Sequence, residues 1–177
     1  MPQLHEGDMN QIKIRKLKDL REVLMNPEAE GPEGVYVMVR GNPNITVLVP
    51  GKIGQEFTKT RGHYHKDDRR ETYRVLFGEG KMLIQNRDVS DVQLLEMRAG
   101  ETVVVPEGYA HTMINTGKGP LVMSDDCPRD AETNVNDYEP IKEKRGFAKY
   151  VVENENGEIE LIPNPRYEAS GLPRSLN

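Results

Sequence analysis

The apolar residues of this chain change period once. Residues 1–11 are polar and carry no repeating apolar position. Ile12, Leu17, Leu20, Val23 and Leu24 then recur at helical spacing with charges between them. Pro27 stops that pattern, so the spacing predicts one helix over about Lys16 to Met25, lying on the outside of a larger body. Glu28 to Gly34 is a turn-rich connector. From Val35 the pattern is that of strands. Val35 to Arg40 and Ile45 to Val49 are β-branched runs separated by the turn Gly41-Asn42-Pro43-Asn44. Further strands are predicted over 70–77, 80–85, 92–97, 102–105, 110–115 and 120–125, most of them separated by Gly, Pro, Asn or Asp. After a loop over 126–145, Phe147 to Val152 and Glu158 to Ile162 read as a closing hairpin that turns at Asn156-Gly157. Many short strands with little helix predict an all-β barrel or sandwich. The expected organisation is an arm and helix over 1–34, a barrel over 35–163 and a polar tail over 164–177.

Composition narrows the function classes. At 177 residues the chain fits one domain with a sizeable core. Its net charge of −5 offers no global basic field for nucleic acid or an anionic membrane, so an anionic ligand needs local donors. The single cysteine, Cys127, rules out an internal disulfide and reads as a structural thiol. The first residues have no cationic start or apolar h-region, and no run approaches the roughly 20 apolar residues of a membrane helix. A soluble, cytoplasmic protein is expected.

The chemistry concentrates between Thr60 and Tyr73. His63 and His65 are two of only four histidines, and on an extended strand both imidazoles share a face. Glu71 follows, with Asp67 and Asp68 as substitute carboxylates, while Lys66, Arg69 and Arg70 read as a solvated loop. A second stretch follows one hairpin later. Gly100 turns into the apolar strand Thr102 to Val105, Pro106 ends its pairing, Gly108 permits a tight bend, and His111 opens a new strand pointing inward. Folded beside the first stretch, it would complete a site of three histidines and one carboxylate. Iron(II), manganese, nickel, cobalt and zinc all suit such donors.

These stretches resemble the paired motifs of the cupin superfamily. The second matches G-x5-P-x-G-x2-H-x3-N at Gly100, Pro106, Gly108, His111 and Asn115. The first matches at His63, His65, Glu71 and Gly78, but Phe57 stands where a leading glycine is usual, and five residues separate His65 from Glu71 where most cupins have three or four. A narrower resemblance covers about Val35 to Tyr167. Pro50-Gly51-Lys52, Gly54, Glu56-Phe57 and Thr60-Arg61-Gly62-His63-Tyr64-His65 are similar to the signature of the cupin-type phosphoglucose isomerases, small metal-dependent enzymes found mainly in archaea. Tyr36, Thr46, Tyr73, Asp137-Tyr138, Gly146 to Lys149 and Asn164 to Tyr167 agree as well, whereas Asn136 replaces a frequent histidine.

The resemblance implies a double-stranded β-helix, or jelly-roll barrel, and one divalent metal per subunit, with Fe(II) favoured, on His63, His65, Glu71 and His111. It implies a sugar-phosphate substrate bound by Tyr36, Thr46, Thr60, Gly62 and Tyr73, with Glu71 and Tyr138 catalytic. The reaction would interconvert glucose 6-phosphate and fructose 6-phosphate in a homodimer, with no nucleic acid or membrane partner. Another metal-dependent cupin enzyme, such as an epimerase or dioxygenase, and a non-catalytic binder are the alternatives.

Overall fold

In the computed structural model, residues 12–127 and 136–168 are described. Residues 1–11, part of the predicted 126–145 loop and most of the predicted tail lie outside them. The strands are β1 (Ile12–Lys16), β2 (Gly34–Val39), β3 (Asn44–Leu48), β4 (Lys52–Ile53), β5 (Glu56–Phe57), β6 (Tyr64–His65), β7 (Glu71–Phe77), β8 (Glu79–Gln85), β9 (Val92–Arg98), β10 (Thr102–Val105), β11 (Ala110–Ile114), β12 (Leu121–Asp125), β13 (Asn136–Asp137), β14 (Lys149–Glu153) and β15 (Ile159–Pro163). Two short helices, α1 (Glu139–Glu143) and α2 (Pro165–Glu168), complete the set. No helix among the described residues is long and apolar enough to cross a membrane.

Alternation of side chains builds the barrel. In β3 every second residue is buried, which is the period of a strand with one face on a core. A six-stranded sheet runs β1-β2-β3-β12-β7-β10. Against it lie the sheets β11-β8-β9, β13-β6 and β15-β14-β5-β4. Isolated bridges Lys59↔Ile114 and His63↔His111 carry the chain between β5 and β6 along β11. The result is the all-β, double-sheet jelly roll expected. Its centre is filled by Leu48, Val75, Met82, Ile84, Met97, Leu121 and Met123, each at most 1% exposed. Burying one such side chain stabilises the fold by about 1.5–3 kcal/mol.

The amino-terminal segment differs from expectation. There is no α-helix over Lys16 to Met25. The chain leaves β1 at Lys16 and makes two 3-10 turns, Leu17–Asp19 and Arg21–Val23. The reason lies in the spacing: Leu17, Leu20 and Val23 are three apart, the repeat of a 3-10 turn, so all three face the barrel. β1 pairs with β2 from Ile12↔Val39 to Lys16↔Gly34 and forms the edge of the large sheet. A buried ion pair holds the segment that follows. Lys59 Nζ donates to Val23 O at 2.9 Å and pairs with Glu56, whose Oε2 accepts from Met25 N–H at 2.7 Å.

Parts of the predicted connectors are ordered too. The loop region contains β13, which pairs with β6, and α1. The start of the predicted tail is packed: Asn164 is 1% exposed and donates to Lys144 O and Phe147 O, each at 2.9 Å, while Tyr167 OH donates to Gly146 O at 3.0 Å.

Candidate metal centre and substrate pocket

Three separate segments bring the predicted ligands together. His63 sits in the bridge to His111, His65 ends β6, Glu71 opens β7, and His111 is the second residue of β11. One ligand atom from each of the four lies within 4.8 Å of all the others. His65 Nε2 is 2.8 Å from Glu71 Oε2, and His111 Nε2 is 3.3 Å from the same oxygen. The five-residue gap before Glu71 closes as a turn: Asp68 N–H donates to His65 O at 3.2 Å, and Asp68 takes a positive φ of 50°. Asp67 and Asp68 do not join the cluster. They are exposed and pair with Arg69 and Arg87. Phe57, at the position of the usual leading glycine, is a buried residue of β5.

The donor set fits a divalent metal. Ligand bonds of about 2.0–2.2 Å to nitrogen and oxygen place the ligand atoms of one ion no more than about 4.4 Å apart, close to the spread found. Burial and the neighbouring imidazoles hold His63 well below the usual histidine range. Burial pushes His111 down to about 4, against the pull of Glu71. These two rings are therefore neutral at pH 7, the form in which imidazole binds metal. Burial alone would raise the Glu71 carboxyl, but His111, His65 and Tyr73 together take it below its ordinary value. Glu71 is thus an anion at 3% exposure.

The cluster forms one wall of an open pocket of about 530 Å³, its mouth included. The predicted substrate-binding residues Tyr36, Thr46, Thr60, Gly62 and Tyr73 line it, and so does Tyr138, predicted as catalytic. Their hydrogen bonds distinguish them. Tyr36 OH accepts from Arg61 N–H at 3.4 Å, and burial raises its phenol to about 12, so its own proton remains available to donate. Thr60 is more committed, because its hydroxyl accepts from Met113 N–H at 3.0 Å and lies 3.2 Å from the Thr112 hydroxyl. Tyr73 OH lies 2.9 Å from His111 Nε2, so it serves the ligand cluster. The Tyr138 ring lies 5.3 Å from that of His63, tilted by 55°, and its hydroxyl accepts from Asn136 Nδ2 at 3.1 Å. Gly62 has φ +77°, and a Cβ there would stand 2.4 Å from the Phe147 ring and 3.1 Å from His111 O. Only glycine lets the strand pass so close to β11.

Sequence reasoning missed Arg40, Arg61 and Asp125, which also line the pocket. Arg40 continues the alternation of Tyr36 and Met38, and Arg61 stands inside the quoted Thr60-Arg61-Gly62 run, so both carried a readable signal. Cys127 is buried on the pocket lining, where burial and the nearby Glu71 and Asp125 push its thiol up to about 12.

A double-sheet barrel with three inward histidines and one inward carboxylate defines a metal-site cupin. A family model described as glucose-6-phosphate isomerase (GPI) matches residues 15–168. The chain is 41% identical over 169 residues to a glucose-6-phosphate isomerase of Thermococcus gammatolerans, covering 87% of this chain and 86% of that one. It is 40% identical over 170 residues to that of Thermococcus litoralis, covering 87% and 86%. A putative glucose-6-phosphate isomerase 1 of Rhizobium meliloti is 32% identical over 124 residues, 70% of this chain and 56% of the other. The chain belongs to the glucose-6-phosphate isomerase family. Among solved structures, an oxalate oxidase in complex with the substrate analogue glycolate overlays with a TM-score of 0.39 and 25% identity, over 51% of this chain and 40% of that one.

Proposed function

We infer that the chain interconverts glucose 6-phosphate and fructose 6-phosphate with a divalent metal held by His63, His65, Glu71 and His111. The observation that carries this reading is the placement of the cluster and Tyr36, Thr46 and Gly62 on the walls of one pocket. A sugar held by its phosphate at Tyr36, Thr46 and the Gly62 backbone would extend its first two carbons toward Glu71. When bound, the metal supplies Lewis-acid polarisation of the oxygens on C1 and C2. Glu71 is the anionic base within the cluster. It takes the proton from C2 and returns it to C1, while the C2 hydroxyl proton passes to the C1 oxygen through a cis-enediol. Tyr73 hydrogen-bonds within the cluster and restrains the His111 ring. Tyr138 covers His63 and narrows access of water to the reacting carbons. The resemblance favours Fe(II), and a cytoplasmic setting accords with the lone buried thiol.

A homodimer is part of this reading. Ile14, Val37, Val47, Val122 and Phe77 form one cross-strand row over five strands of the large sheet. Ile14 and Phe77 are 57% and 58% exposed, so this face offers apolar area to a second copy.

The test is a coupled assay with fructose 6-phosphate after chelation and after adding back each metal. Activity lost on chelation and restored by a divalent ion is expected; activity indifferent to chelator overturns the reading. Turnover in deuterated water checks the base. Deuterium from solvent at C1 or C2 is expected, and its complete absence in product shifts the chemistry to direct hydride transfer.

A further inference from the structure

Five buried side-chain polar atoms among the described residues have no partner: Nε of Arg15 and Arg61, Nδ1 of His65 and His111, and Oδ1 of Asn136. Four of these residues line the substrate pocket. The fifth, Arg15, stands across from pocket-lining Tyr36 in the β1–β2 register. Buried polar groups are otherwise almost always satisfied; the two histidine nitrogens belong to the candidate metal cluster and Asn136 Oδ1 is an acceptor, so the two arginine Nε groups are the ones that call for an anion. The two guanidinium N–H groups lack an acceptor, and an oxyanion is one.

The edge strand explains how the cations get there. β1 has the reverse of the usual alternation. Ile12 and Ile14 face outward at 47% and 57% exposure. Lys13 and Arg15 share their face with Met38 and Tyr36, both on the pocket wall. Arg40 extends that face just past β2, and Arg61 enters from beside Gly62. Arg40 and Arg61 on the pocket wall and Lys13 and Arg15 on the adjoining edge strand thus form one cationic group in a chain of net charge −5. Their crowding is visible at Lys13, whose ammonium is lowered by its partial burial and then by Arg15, Arg40 and Arg61. Arg61 is also aimed. One of its terminal nitrogens pairs with Glu22, and its guanidinium lies 5.0 Å from the Tyr138 ring. A tether between Glu22 and Tyr138 accounts for those contacts but leaves Nε–H unused.

We propose that Arg61 donates to the phosphate of the substrate, and that Arg15 and Lys13 on β1 complete a cationic phosphate subsite with it. The inference rests on the sugar-phosphate reading of the pocket. A dianion gains charge-assisted hydrogen bonds there that Tyr36 and Thr46 alone cannot offer. The low-dielectric walls focus the positive field on the entering phosphate despite the acidic whole. The amino-terminal strand is then a substrate-recognition element.

The experiment compares metal-loaded wild type with Arg61→Met, Arg61→Lys, Arg15→Met and Lys13→Gln. Metal content and thermal midpoint confirm that each is folded. Arg61→Met is expected to lower kcat/KM for fructose 6-phosphate at least tenfold, through KM rather than kcat, with a parallel rise in Ki for inorganic phosphate. Arg61→Lys recovers part of the loss. Arg15→Met gives a smaller loss, and the exposed Lys13→Gln flattens the salt dependence of kcat/KM. A KM and phosphate Ki unmoved in both Arg61→Met and Arg15→Met overturn the proposal. Calorimetric titration of inorganic phosphate separates it from the isomerase reading. If wild type fails to turn over fructose 6-phosphate, that reading falls, while phosphate binding lost in Arg61→Met still supports the subsite and equal affinity in both still removes it.

Discussion

The two halves of the ligand cluster are built by opposite means. His111 lies on β11, whose five residues are all buried and pair without a break from Ala110↔Gln85 to Ile114↔Lys81. Asn115 pins the end of that strand: its Nδ2 donates to Leu48 O and Gly119 O at 3.0 and 2.9 Å, and its Oδ1 accepts from Gly117 N–H at 3.0 Å. His63 and His65 have no such ladder, and Glu71 has only the end of one: it opens β7, across from Val105 of β10. The two histidines ride on an isolated bridge and a two-residue strand, and the turn that leads on to Glu71 is held by side-chain clamps such as Arg87 on Asp68 and on His65 O. A continuous ladder fixes one ligand in place, whereas an irregular segment can yield by a fraction of an ångström. Glu71 stands at the junction, on the first residue of a paired strand and directly after the irregular turn.

Glu71→Gln gives the sharpest test of that contrast. It keeps an oxygen in the cluster and removes the base, so kcat should fall on the order of 10²–10⁴-fold while metal analysis shows the ion retained. Loss of metal in proportion to activity would put Glu71 with His111 as a fixed ligand. Next in size is Gly62→Ala on the irregular side. Left-handed backbone and the Phe147 ring both oppose a Cβ, and chemical unfolding should show a loss of about 3 kcal/mol. Asn115→Ala on the ladder side strips three backbone groups of one partner, for about 2 kcal/mol by the same measurement. The smallest effect is expected at Gly108→Ala. Its φ is +79° but nothing lies within 4 Å of a Cβ, so only backbone strain of about 1 kcal/mol remains. Equal losses at Gly62 and Gly108 would mean that close approach to β11 contributes nothing.

The ladder half was the legible half. Gly100, Pro106, Gly108, His111 and Asn115 each impose a local backbone demand, so their spacing alone implies strand, stop, bend and strand. The main strands were legible for the same reason, β10 to its end residues. The misses share a different cause. β4, β5, β6 and β13 are two residues each, too short for any period to register, and exist only because of their partners. β1 was hidden by its inversion. Its isoleucines face outward while Lys13 and Arg15 share the face of Met38 and Tyr36, so it resembled the start of an amphipathic helix that Leu17, Leu20 and Val23 continue in sequence. Arg61 was overlooked because its neighbours Thr60 and Gly62 carried the familiar pattern. Its meaning depends on Glu22 and Tyr138, which only the fold brings beside it.

The Lys59–Glu56 pair has a bearing on the order in which the molecule comes apart. Segment 20–25 has no strand partner of its own and would ordinarily open first. Peeling it away would deprive Lys59 of Val23 O and Glu56 of Met25 N–H, leaving two charges enclosed by the barrel with fewer partners than they need. Detachment therefore has to wait until the barrel itself admits water. In amide hydrogen exchange the Val23 and Met25 positions should behave as members of the slowest cooperative unit, keeping pace with β8 and β11 although no ladder protects them.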